Sequence, residues 1–363
     1  MTVLERELRI LAEPAWRNRA ENPYTYLLSK ALMENGCTVR ELTRLGRFCD
    51  HADIVHIHWP HPVLNTSILR AASRSLEKLL GLAVQKLRGA VIVWTVHNIH
   101  AHDQKSMLLE RVVMGAVVRL IDGAIFLAEG SCDEAFRAMP VLAKKPHTVI
   151  PHGMYEAPPS APQNSRDART LFGIDGEGAV IGFFGDIKHY KGLDILLGAF
   201  EELPAGGATL FVAGIFRAAS DYARDQRARM QSLTQRGHRI VFFERRLNDD
   251  DLAAAIRASD LTVLPYRESV NSGFALFALG LGARIVTSDA PAFRVLEGEL
   301  GSYWVRPARG ASLPVAISEA LNQTRMPEDD ARLASFCEGR SWLSIGRMTK
   351  DFYKTLQDRG RSP

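Results

Sequence analysis

The 363-residue chain has little cysteine, little excess charge and no long apolar run. Its four cysteines, Cys37, Cys49, Cys132 and Cys337, form no CxxC pair and have no histidine nearby at zinc-finger spacing. We therefore interpret them as reduced thiols of a cytosolic protein. The formal net charge of +4 is too small to indicate a nucleic-acid-binding protein, although it suits an anionic substrate or membrane surface.

No apolar stretch reaches the length needed to span a bilayer, and the segment MTVLERELRI is charged where a signal peptide needs an apolar core. The sequence therefore predicts a protein that is neither secreted nor integral to a membrane. Hydrophobic residues make up 46% of the chain, which is enough to bury large cores. At about 150 residues per domain, the length indicates two domains.

Short apolar runs alternate with helical patterns in two series, as is typical of parallel sheets covered by helices. The first series has predicted strands at 8–11, 38–42, 54–58, 91–96, 124–127 and 148–150, and a helix at 24–35. The second begins at 179 and has further predicted strands at 209–213, 240–243, 261–264 and 284–287. The polar, proline-rich segment 157–169 between them is predicted to be a hinge. The patterns predict an α/β protein with two doubly wound domains, which bind ligands outside the carboxyl ends of their strands.

The most informative segment is VIGFFGDIKHYKGLDILLGAF, residues 180–200. A buried strand ends at Gly185, a loop carries Lys188 and Lys191, and a helix opens at Gly192. Backbone amides at a helix start and two cations favour a diphosphate at this position. The alternative is a plain turn between strand and helix, with solvated lysines.

A second loop of the same kind follows the strand at 261–264. It runs through Asn271, Ser272 and Gly273 into an apolar helix, so Ser272 is expected to cap the helix and Gly273 to let the backbone approach a ligand. Two such loops at one sheet edge fit one diphosphate. When this tripeptide is taken alone, ordinary helix capping is the favoured explanation.

Six ordered segments carry a family resemblance over nearly the whole chain. They are NPYTYLLSKAL (22–32), DIVHIHWP (53–60), TVHNIHAHD (95–103), VIPHGMY (149–155), FFGDIKHYKG (183–192) and LPYRESVNSG (264–273), with SWLSIGRMTKDFYKTL (341–356) closing the series. The chain resembles nucleotide-sugar glycosyltransferases of the GT-B fold, and especially bacterial exopolysaccharide mannosyltransferases of the xanthan type. The resemblance implies an acceptor domain at 1–155, a donor domain at 175–340, a cleft between them and a last helix at 341–358 that returns to the first domain.

The resemblance also implies roles for single residues. Lys191 is expected at the donor diphosphate, Lys188 stands where such proteins often carry an arginine, and the amides of Ser272 and Gly273 are expected at the distal phosphate. Glu244 and Arg245 are expected near the nucleobase. The full predicted donor site is Gly185, Lys188, Lys191, Glu244, Arg245, Tyr266, Asn271, Ser272 and Gly273.

The chain departs from the broader retaining pattern of this fold. That pattern has two glutamates eight residues apart, whereas the aligned positions hold Ser269 and Phe277, with Glu268 displaced by one residue. Asp186 also stands where the pattern has an arginine. These departures put ribose recognition by the second glutamate in doubt.

The segment TVHNIHAHD is predicted to supply the acceptor side and the catalytic base. An inverting transfer needs one group to take the proton of the acceptor hydroxyl. Asp103 is the first choice because it matches the acidic residue of the family, and His97 is the alternative. Alternatively, Asp103 caps the following helix. Three histidines with an acid are also compatible with a metal site, but the family gives no support for one.

Four further residues are predicted to line the acceptor groove, and they are Asn22, Tyr24, His58 and Trp59. His56 and His58 alternate on a strand and face one side, and Trp59 can stack on a sugar or simply pack at the strand end. Arg17 and Arg19 are candidates for an acceptor pyrophosphate, or else are solvated.

The segment 68–88 combines leucines at helical spacing with Arg70, Arg74, Lys78, Lys86 and Arg88. Such a helix either lies on an anionic membrane, as a lipid-linked acceptor would require, or packs on the sheet as a crossover helix. The run Asp249–Asp251, in contrast, precedes a helix and is interpreted as a cap rather than a metal site.

The sequence thus predicts a cytoplasmic or peripheral membrane enzyme that needs neither metal nor cofactor. Its predicted reaction moves mannose from GDP-mannose to a lipid-linked oligosaccharide in exopolysaccharide assembly, with inversion. Alternatives are a nucleotide-sugar epimerase of the same architecture and a non-catalytic nucleotide-sugar-binding subunit. A nicotinamide-dependent dehydrogenase is disfavoured because no G-x-G-x-x-G follows the first strand.

Overall fold

The computed structural model describes residues 7–361, except 20–21, 62–66, 98–106, 156–157, 159, 161, 163, 177, 217–219, 268–271 and 311. The chain divides into two compact units. Unit 1 comprises residues 1–153 and 340–363, and unit 2 comprises residues 154–339. Each unit is built on its own parallel sheet.

The described residues form twelve strands, six in each unit. Those of unit 1 are β1 (Leu8–Glu13), β2 (Cys37–Glu41), β3 (Ile54–Ile57), β4 (Val91–Val96), β5 (Gly123–Phe126) and β6 (His147–Val149). Those of unit 2 are β7 (Ala179–Phe184), β8 (Ala208–Ala213), β9 (Arg239–Phe243), β10 (Leu261–Leu264), β11 (Ile285–Thr287) and β12 (Val305–Pro307). The sheet orders are β2-β1-β3-β4-β5-β6 and β12-β11-β10-β7-β8-β9, and all pairs are parallel.

Fourteen α-helices cover the sheets within the described residues. Unit 1 contributes α1 (Tyr24–Glu34), α2 (Gly46–Cys49), α3 (Ile68–Leu87), α4 (Met107–Leu120) and α5 (Glu129–Ala138). Unit 2 contributes α6 (Ser165–Leu171), α7 (Leu193–Glu201), α8 (Asp221–Gln235), α9 (Asp249–Ala258), α10 (Gly273–Gly280), α11 (Pro291–Leu300), α12 (Leu313–Asn322) and α13 (Pro327–Gly339). The last helix, α14 (Trp342–Arg361), belongs to unit 1.

The central strands are mostly apolar and almost entirely buried because helices cover both faces of each sheet. In unit 1, one core lies between the sheet and α3, α4 and α5, and it includes Trp94, Val117 and Phe126. The core on the opposite face is closed by α1 and α14 and includes Ile10 and Tyr353. The predicted α/β architecture with two doubly wound sheets is therefore confirmed.

Helix α14 is fixed to α1 by close packing and by hydrogen bonds. Gly346 lies against α1 so closely that a Cβ there would be 2.8 Å from the carbonyl of Ala31. Lys350 Nζ donates to the carbonyl of Asn35 at 2.8 Å, and the Asn35 amide donates to the carbonyl of Leu343 at 3.1 Å. Residues after unit 2 thus complete the core of unit 1.

The structure corrects two details of the sequence prediction. The second half of the predicted hinge forms α6, where Asn164 caps the helix and Ala168 is fully buried in the core of unit 2. The strand β12 was not predicted, since it is only three residues long and includes an arginine and a proline. The other strand boundaries agree with the prediction to within two residues.

Candidate functional site

In unit 2, a glycine and a lysine meet where β7 ends. Gly185 follows the strand with φ of +97°, a conformation that L side chains rarely adopt. A Cβ at this position would lie 3.1 Å from Lys191 Nζ. The short 3₁₀ turn His189–Lys191 brings the lysine back over the glycine. The end of β7 therefore places a cation directly beside the backbone of Gly185.

Burial gives Lys191 an unusual pKa. Loss of solvent lowers the pKa of its ammonium to about 8, with Asp186 opposing that change and Lys188 adding to it. The Nζ atom lies 5.9 Å from the centre of the Tyr266 ring. Among the described residues, no side chain forms an ion pair with Lys191, so its charge is available to an anion. Lys188, by contrast, is exposed at the start of the same turn.

The second predicted loop begins α10 as expected. The Ser272 hydroxyl accepts a hydrogen bond from the backbone N–H of Ala275 at 3.1 Å, and Gly273 is the first helical residue. The amino end of the helix therefore carries a partial positive charge at this edge of the sheet. Asn271 lies outside the described residues, as do Glu268 and Ser269.

The two loops touch each other at Gly192 and Pro265. Gly192 has φ of +73°, and a Cβ there would come within 2.2 Å of the carbonyl oxygen of Pro265. Only glycine permits this approach. The amino end of α7 and the loop that follows β10 are therefore direct neighbours.

Arg267 ties these two loops together, and sequence reasoning missed it. Its backbone N–H donates to the carbonyl of Tyr190 at 2.8 Å, and Nη1 donates to the carbonyl of His189 at 2.6 Å. Its guanidinium also forms a two-point ion pair with Asp194 in the first turn of α7, and Tyr222 donates to the same carboxylate at 3.0 Å. The partners are 73 residues apart, so no local pattern could reveal the pair.

Glu244 and Arg245 follow β9 at the same edge, but each has a protein partner. Glu244 accepts two hydrogen bonds from Arg227, which lower the pKa of the carboxyl group, and the Arg227 guanidinium lies 4.6 Å from the Phe216 ring centre. Arg245 Nη1 donates to Asp251 at 2.7 Å. These pairs form a polar and aromatic surface beside the lysine loop. A direct contact of either residue with a nucleobase stays a prediction.

Phe277 occupies the position where the wider family carries its second glutamate. The side chain is half-buried and packs against the core of unit 2, with its ring centre 6.3 Å from that of Tyr155. A phenyl ring accepts no hydrogen bond from a ribose hydroxyl, so the departure removes that interaction from this position.

In unit 1, four histidines converge at the carboxyl ends of β3, β4 and β6. The ring centres of His56 and His58 are 4.2 Å apart, and His58 Nδ1 lies 3.1 Å from His97 Nε2. His152 joins the group through Tyr24, whose ring centre is 4.8 Å from that of His152 and 4.7 Å from that of His97. The histidines that the sequence places on one face of a strand therefore form part of a larger buried cluster.

Burial keeps this histidine cluster (His56, His58, His97 and His152) neutral. It lowers the pKa to about 3 for His56 and His97 and to about 4 for His152, and lowers the pKa of His58 well below its usual value. A group with a pKa near 3 is a weak proton acceptor at neutral pH. The position of His97 therefore favours support of the site over general-base catalysis. Asp103, the first-choice base, lies outside the described residues, as do His100 and His102.

The predicted acceptor residues differ in exposure. Tyr24 and His58 are each 2% exposed and are therefore buried beneath the surface of unit 1. Trp59 is half-buried and stacks on His97 with ring centres 4.6 Å apart. Asn22 accepts a hydrogen bond from the N–H of Tyr24 at 3.1 Å and so shapes the turn before α1.

The two arginines considered for an acceptor pyrophosphate have contacts within unit 1. Arg17 pairs with Glu41 at 2.8 Å, and the same carboxylate accepts backbone N–H bonds from Ala15 and Trp16. Arg19 lies over the Tyr26 ring at 4.5 Å. Both contacts stabilise the conformation of the loop after β1.

A buried ion-pair group lies beside the histidine cluster. Glu13 at the end of β1 pairs with Arg47 at 2.7 Å and with Lys78 at 3.4 Å. Lys78 Nζ also donates to the carbonyl of Trp59 at 3.3 Å, and burial lowers the pKa of its ammonium. Of the basic residues in the segment 68–88, Lys78 therefore points inward and would take no part in a membrane-facing surface, one of the two alternatives for this helix.

In the described part of the chain, no three His, Cys, Asp or Glu side chains come together as metal ligands. None of the described helices combines the length and the apolar character that crossing a bilayer requires.

The chain is similar to known glycosyltransferases. Residues 178–323 match the family model "Glycosyl transferases group 1". A GDP-mannose:glycolipid 4-beta-D-mannosyltransferase of Xanthomonas campestris pv. campestris is 24% identical over 338 residues, covering 91% of this chain and 87% of the relative. The lipopolysaccharide core biosynthesis mannosyltransferase LpsB of Rhizobium meliloti is 30% identical over 255 residues, covering 67% and 65%.

A solved structure supports the same assignment of the fold. Anabaena Alr3699/HepE in complex with UDP has a TM-score of 0.67 at 15% identity and covers 96% of this chain and 100% of its own. This likeness extends over both units of the present chain. Unit 2 therefore carries a glycosyltransferase group 1 domain, and the chain has the GT-B fold.

Proposed function

We propose that this glycosyltransferase moves mannose from GDP-mannose to a glycolipid acceptor, with inversion and without a metal ion. The observation that carries the proposal is the convergence of Lys191, the start of α7 and the start of α10 at one sheet edge. This convergence supports a diphosphate site. The name of the Xanthomonas relative, which aligns over 91% of the chain, supports mannose and GDP.

The proposed chemistry at the donor is electrostatic. Departure of the nucleoside diphosphate leaves negative charge on its outer phosphate. Lys191 and the amides at Ser272 and Gly273 would stabilise this charge as it develops. A single helix start contributes about 0.3 to 1 kcal/mol to anion binding, and the lysine adds a full charge. The neighbouring loops are fixed before the donor arrives, because Arg267 and Asp194 already join them.

The proposed base remains Asp103. Its carboxylate would take the proton of the acceptor hydroxyl as that oxygen attacks the anomeric carbon. We expect Asp103→Asn to bind GDP as the wild type does and to lose at least 99% of transfer activity. Turnover at the wild-type rate in this variant would remove Asp103 from this role.

The donor assignment is tested by a thermal-shift panel with GDP, UDP, ADP and dTDP and their sugars. We expect GDP and GDP-mannose to raise the melting temperature most. Lys191→Ala should weaken GDP binding at least tenfold, or about 1.4 kcal/mol, whereas the exposed control Arg166→Ala on α6 should bind normally. A selective response to UDP-sugars would overturn the GDP assignment. Unchanged affinity in Lys191→Ala would overturn the diphosphate site.

Assays with and without acceptor separate the remaining functions. An epimerase would interconvert sugar nucleotides without any glycolipid. A binding subunit would retain GDP but transfer sugar to no acceptor in a bacterial lipid extract. Radiolabelled mannose that moves from GDP-mannose into the lipid fraction would support the proposed transfer.

A further inference from the structure

Tyr155 lies along helix α10 in unit 2. Positions 273, 277 and 280 share one face of that helix, because they are four and three residues apart. A Cβ at Gly280 would lie 2.8 Å from the carbonyl oxygen of Tyr155. A Cβ at Gly273 would lie 3.7 Å from Cε2 of the same tyrosine and 3.8 Å from its hydroxyl oxygen. The side chain therefore runs from the last turn of α10 to the first, and its hydroxyl lies beside the amino end of the helix.

The residues of α10 that face Tyr155 leave room for it. At 2.8 Å, a Cβ at position 280 would overlap the tyrosine carbonyl, so glycine is needed there. Between the two glycines, Phe277 packs edge-to-face on Tyr155, with ring centres 6.3 Å apart and an interplanar angle of 74°. Phe277 stands where the wider family carries its second glutamate. The side chain that replaces the carboxylate thus supports the ring of Tyr155.

Ser272, which caps α10, uses its hydroxyl group within the protein. The hydroxyl oxygen accepts a hydrogen bond from the N–H of Ala275 at 3.1 Å. Burial raises the pKa of Tyr266, and a hydrogen bond from the Ser272 hydroxyl opposes this rise, so the hydroxyl hydrogen is used as well. Ser272 can therefore offer an anion its backbone N–H, but not its hydroxyl hydrogen.

The Tyr155 hydroxyl is suited to donate a hydrogen bond at this helix end. Burial raises its pKa above the usual value, so the group stays protonated at neutral and moderately alkaline pH. The first amides of the helix carry a partial positive charge, which favours an anion beside them. A phenol that donates to a phosphate oxygen makes a charge-assisted hydrogen bond, which is shorter and stronger than a neutral one.

We propose that the Tyr155 hydroxyl donates a hydrogen bond to the outer phosphate of the nucleotide-sugar donor. The assignment rests on the proposed function, in which Lys191 and the start of α10 hold that phosphate. The Nζ atom of Lys191 lies 5.9 Å from the Tyr266 ring centre, and Tyr266 is hydrogen-bonded to Ser272, so the lysine and the helix start border the same tyrosine. A lysine, the helix amides and a phenol would then surround one phosphate.

The proposed contact distinguishes a diphosphate from a monophosphate. A nucleoside monophosphate lacks the outer phosphate and therefore cannot accept this hydrogen bond. Loss of the hydroxyl should weaken the binding of a diphosphate and leave the binding of a monophosphate unchanged. A purely structural role of Tyr155 would instead depend on its ring, which packs on Phe277 and α10.

The test compares Tyr155→Phe with the wild type in calorimetric titrations with GDP and GMP. The substitution removes the hydroxyl and keeps the ring. Tyr303→Phe is the matched control, because Tyr303 belongs to unit 2 but precedes β12 and so lies at the opposite edge of the parallel sheet. We expect Tyr155→Phe to bind GDP at least about tenfold more weakly than the wild type does, and GMP equally well. The control should bind both nucleotides as the wild type does.

Wild-type affinity of Tyr155→Phe for GDP, or an equal loss for GDP and GMP, would overturn the role of the hydroxyl and leave the proposed function standing. If UDP binds in place of GDP, the GDP assignment fails, and the same comparison is made with UDP and UMP. A wild type that binds no nucleoside diphosphate would overturn the proposed function and this inference together.

A crystal structure of the wild type with the bound diphosphate tests the contact without any variant. We expect the hydroxyl oxygen of Tyr155 to lie within about 3.0 Å of an oxygen of the outer phosphate. A separation above about 4 Å would overturn the proposed hydrogen bond.

Discussion

Lys191 shows how one side chain acquires its chemistry from its surroundings. The residue stands out in the sequence, because two lysines follow a strand that ends in glycine. Its lowered pKa could not be predicted, since it depends on burial by the Tyr266 region and on the turn that returns the ammonium to Gly185. A lysine with a pKa of about 8 is charged below that pH and neutral above it.

We predict that GDP binding to the wild type weakens as the pH rises from 7 to 9. The diphosphate favours the charged lysine, so the affinity should fall by up to about tenfold per pH unit above the pKa. Calorimetric titration with GDP at pH 7, 8 and 9 measures the change. Lys191→Arg, which stays charged, is the control for titration of the nucleotide itself. An equal pH dependence in both proteins would show that another group is responsible.

Secondary-structure elements that depend on a local sequence pattern could be predicted well. Contacts between residues that are distant in the sequence could not. The start of α10 could be predicted from Ser272 and Gly273, because capping is a local interaction. The contact between Gly192 and Pro265 could not, because it joins segments far apart in the chain. Helix α6 was missed because it is short and polar, with only two apolar residues, the buried Ala168 and the exposed Leu171.

Arg267 should control the relative position of the two loops. We predict that Arg267→Ala weakens GDP binding at least fivefold, or about 1 kcal/mol, because the bonds to Asp194 and to the His189 carbonyl are lost. Arg224→Ala is the matched control, since Arg224 pairs with Asp221 within α8. Calorimetric titration should show that this control variant binds GDP with the wild-type affinity. Wild-type affinity in Arg267→Ala would mean that the loops keep their positions without the ion pair.

At the scale of the whole molecule, the four histidines of the buried cluster lie in unit 1, where their lowered pKa values make folding sensitive to acid. The strand alternation of His56 and His58 was visible in the sequence, but their contacts with His97 and Tyr353 were not. Tyr353 and His56 are 297 residues apart and lie 2.6 Å from each other through the tyrosine hydroxyl and Nδ1. Their pairing follows from the return of α14 to unit 1.

We predict that the free energy of unfolding of unit 1 decreases as the pH falls below 6.5. The folded pKa values of His56, His97 and His152 are about 3, 3 and 4, so protons bind the unfolded chain first. Each histidine should cost about 2 kcal/mol between pH 7 and pH 5. The measurement is urea unfolding followed by tryptophan fluorescence, to which unit 1 contributes four of the five tryptophans.

His152→Gln provides the comparison for this measurement. It should reduce the change between pH 7 and pH 5 by about 2 kcal/mol, because one proton-binding site is removed from the unfolded chain. If the urea midpoint of the wild type is the same at pH 7 and pH 5, this result would contradict the burial of neutral imidazoles.

The position of α14 has a consequence for biosynthesis. Unit 2 is inserted between the strands of unit 1 and the helix that closes its core, so a ribosome completes every residue of unit 2 before it makes α14. During that interval unit 2 can fold, whereas the surface of unit 1 formed by Ile10, Tyr24 and Leu28 waits for Tyr353 and Leu356. Nascent chains at this stage would expose an apolar surface to chaperones, and unit 1 would be the last part of the enzyme to mature.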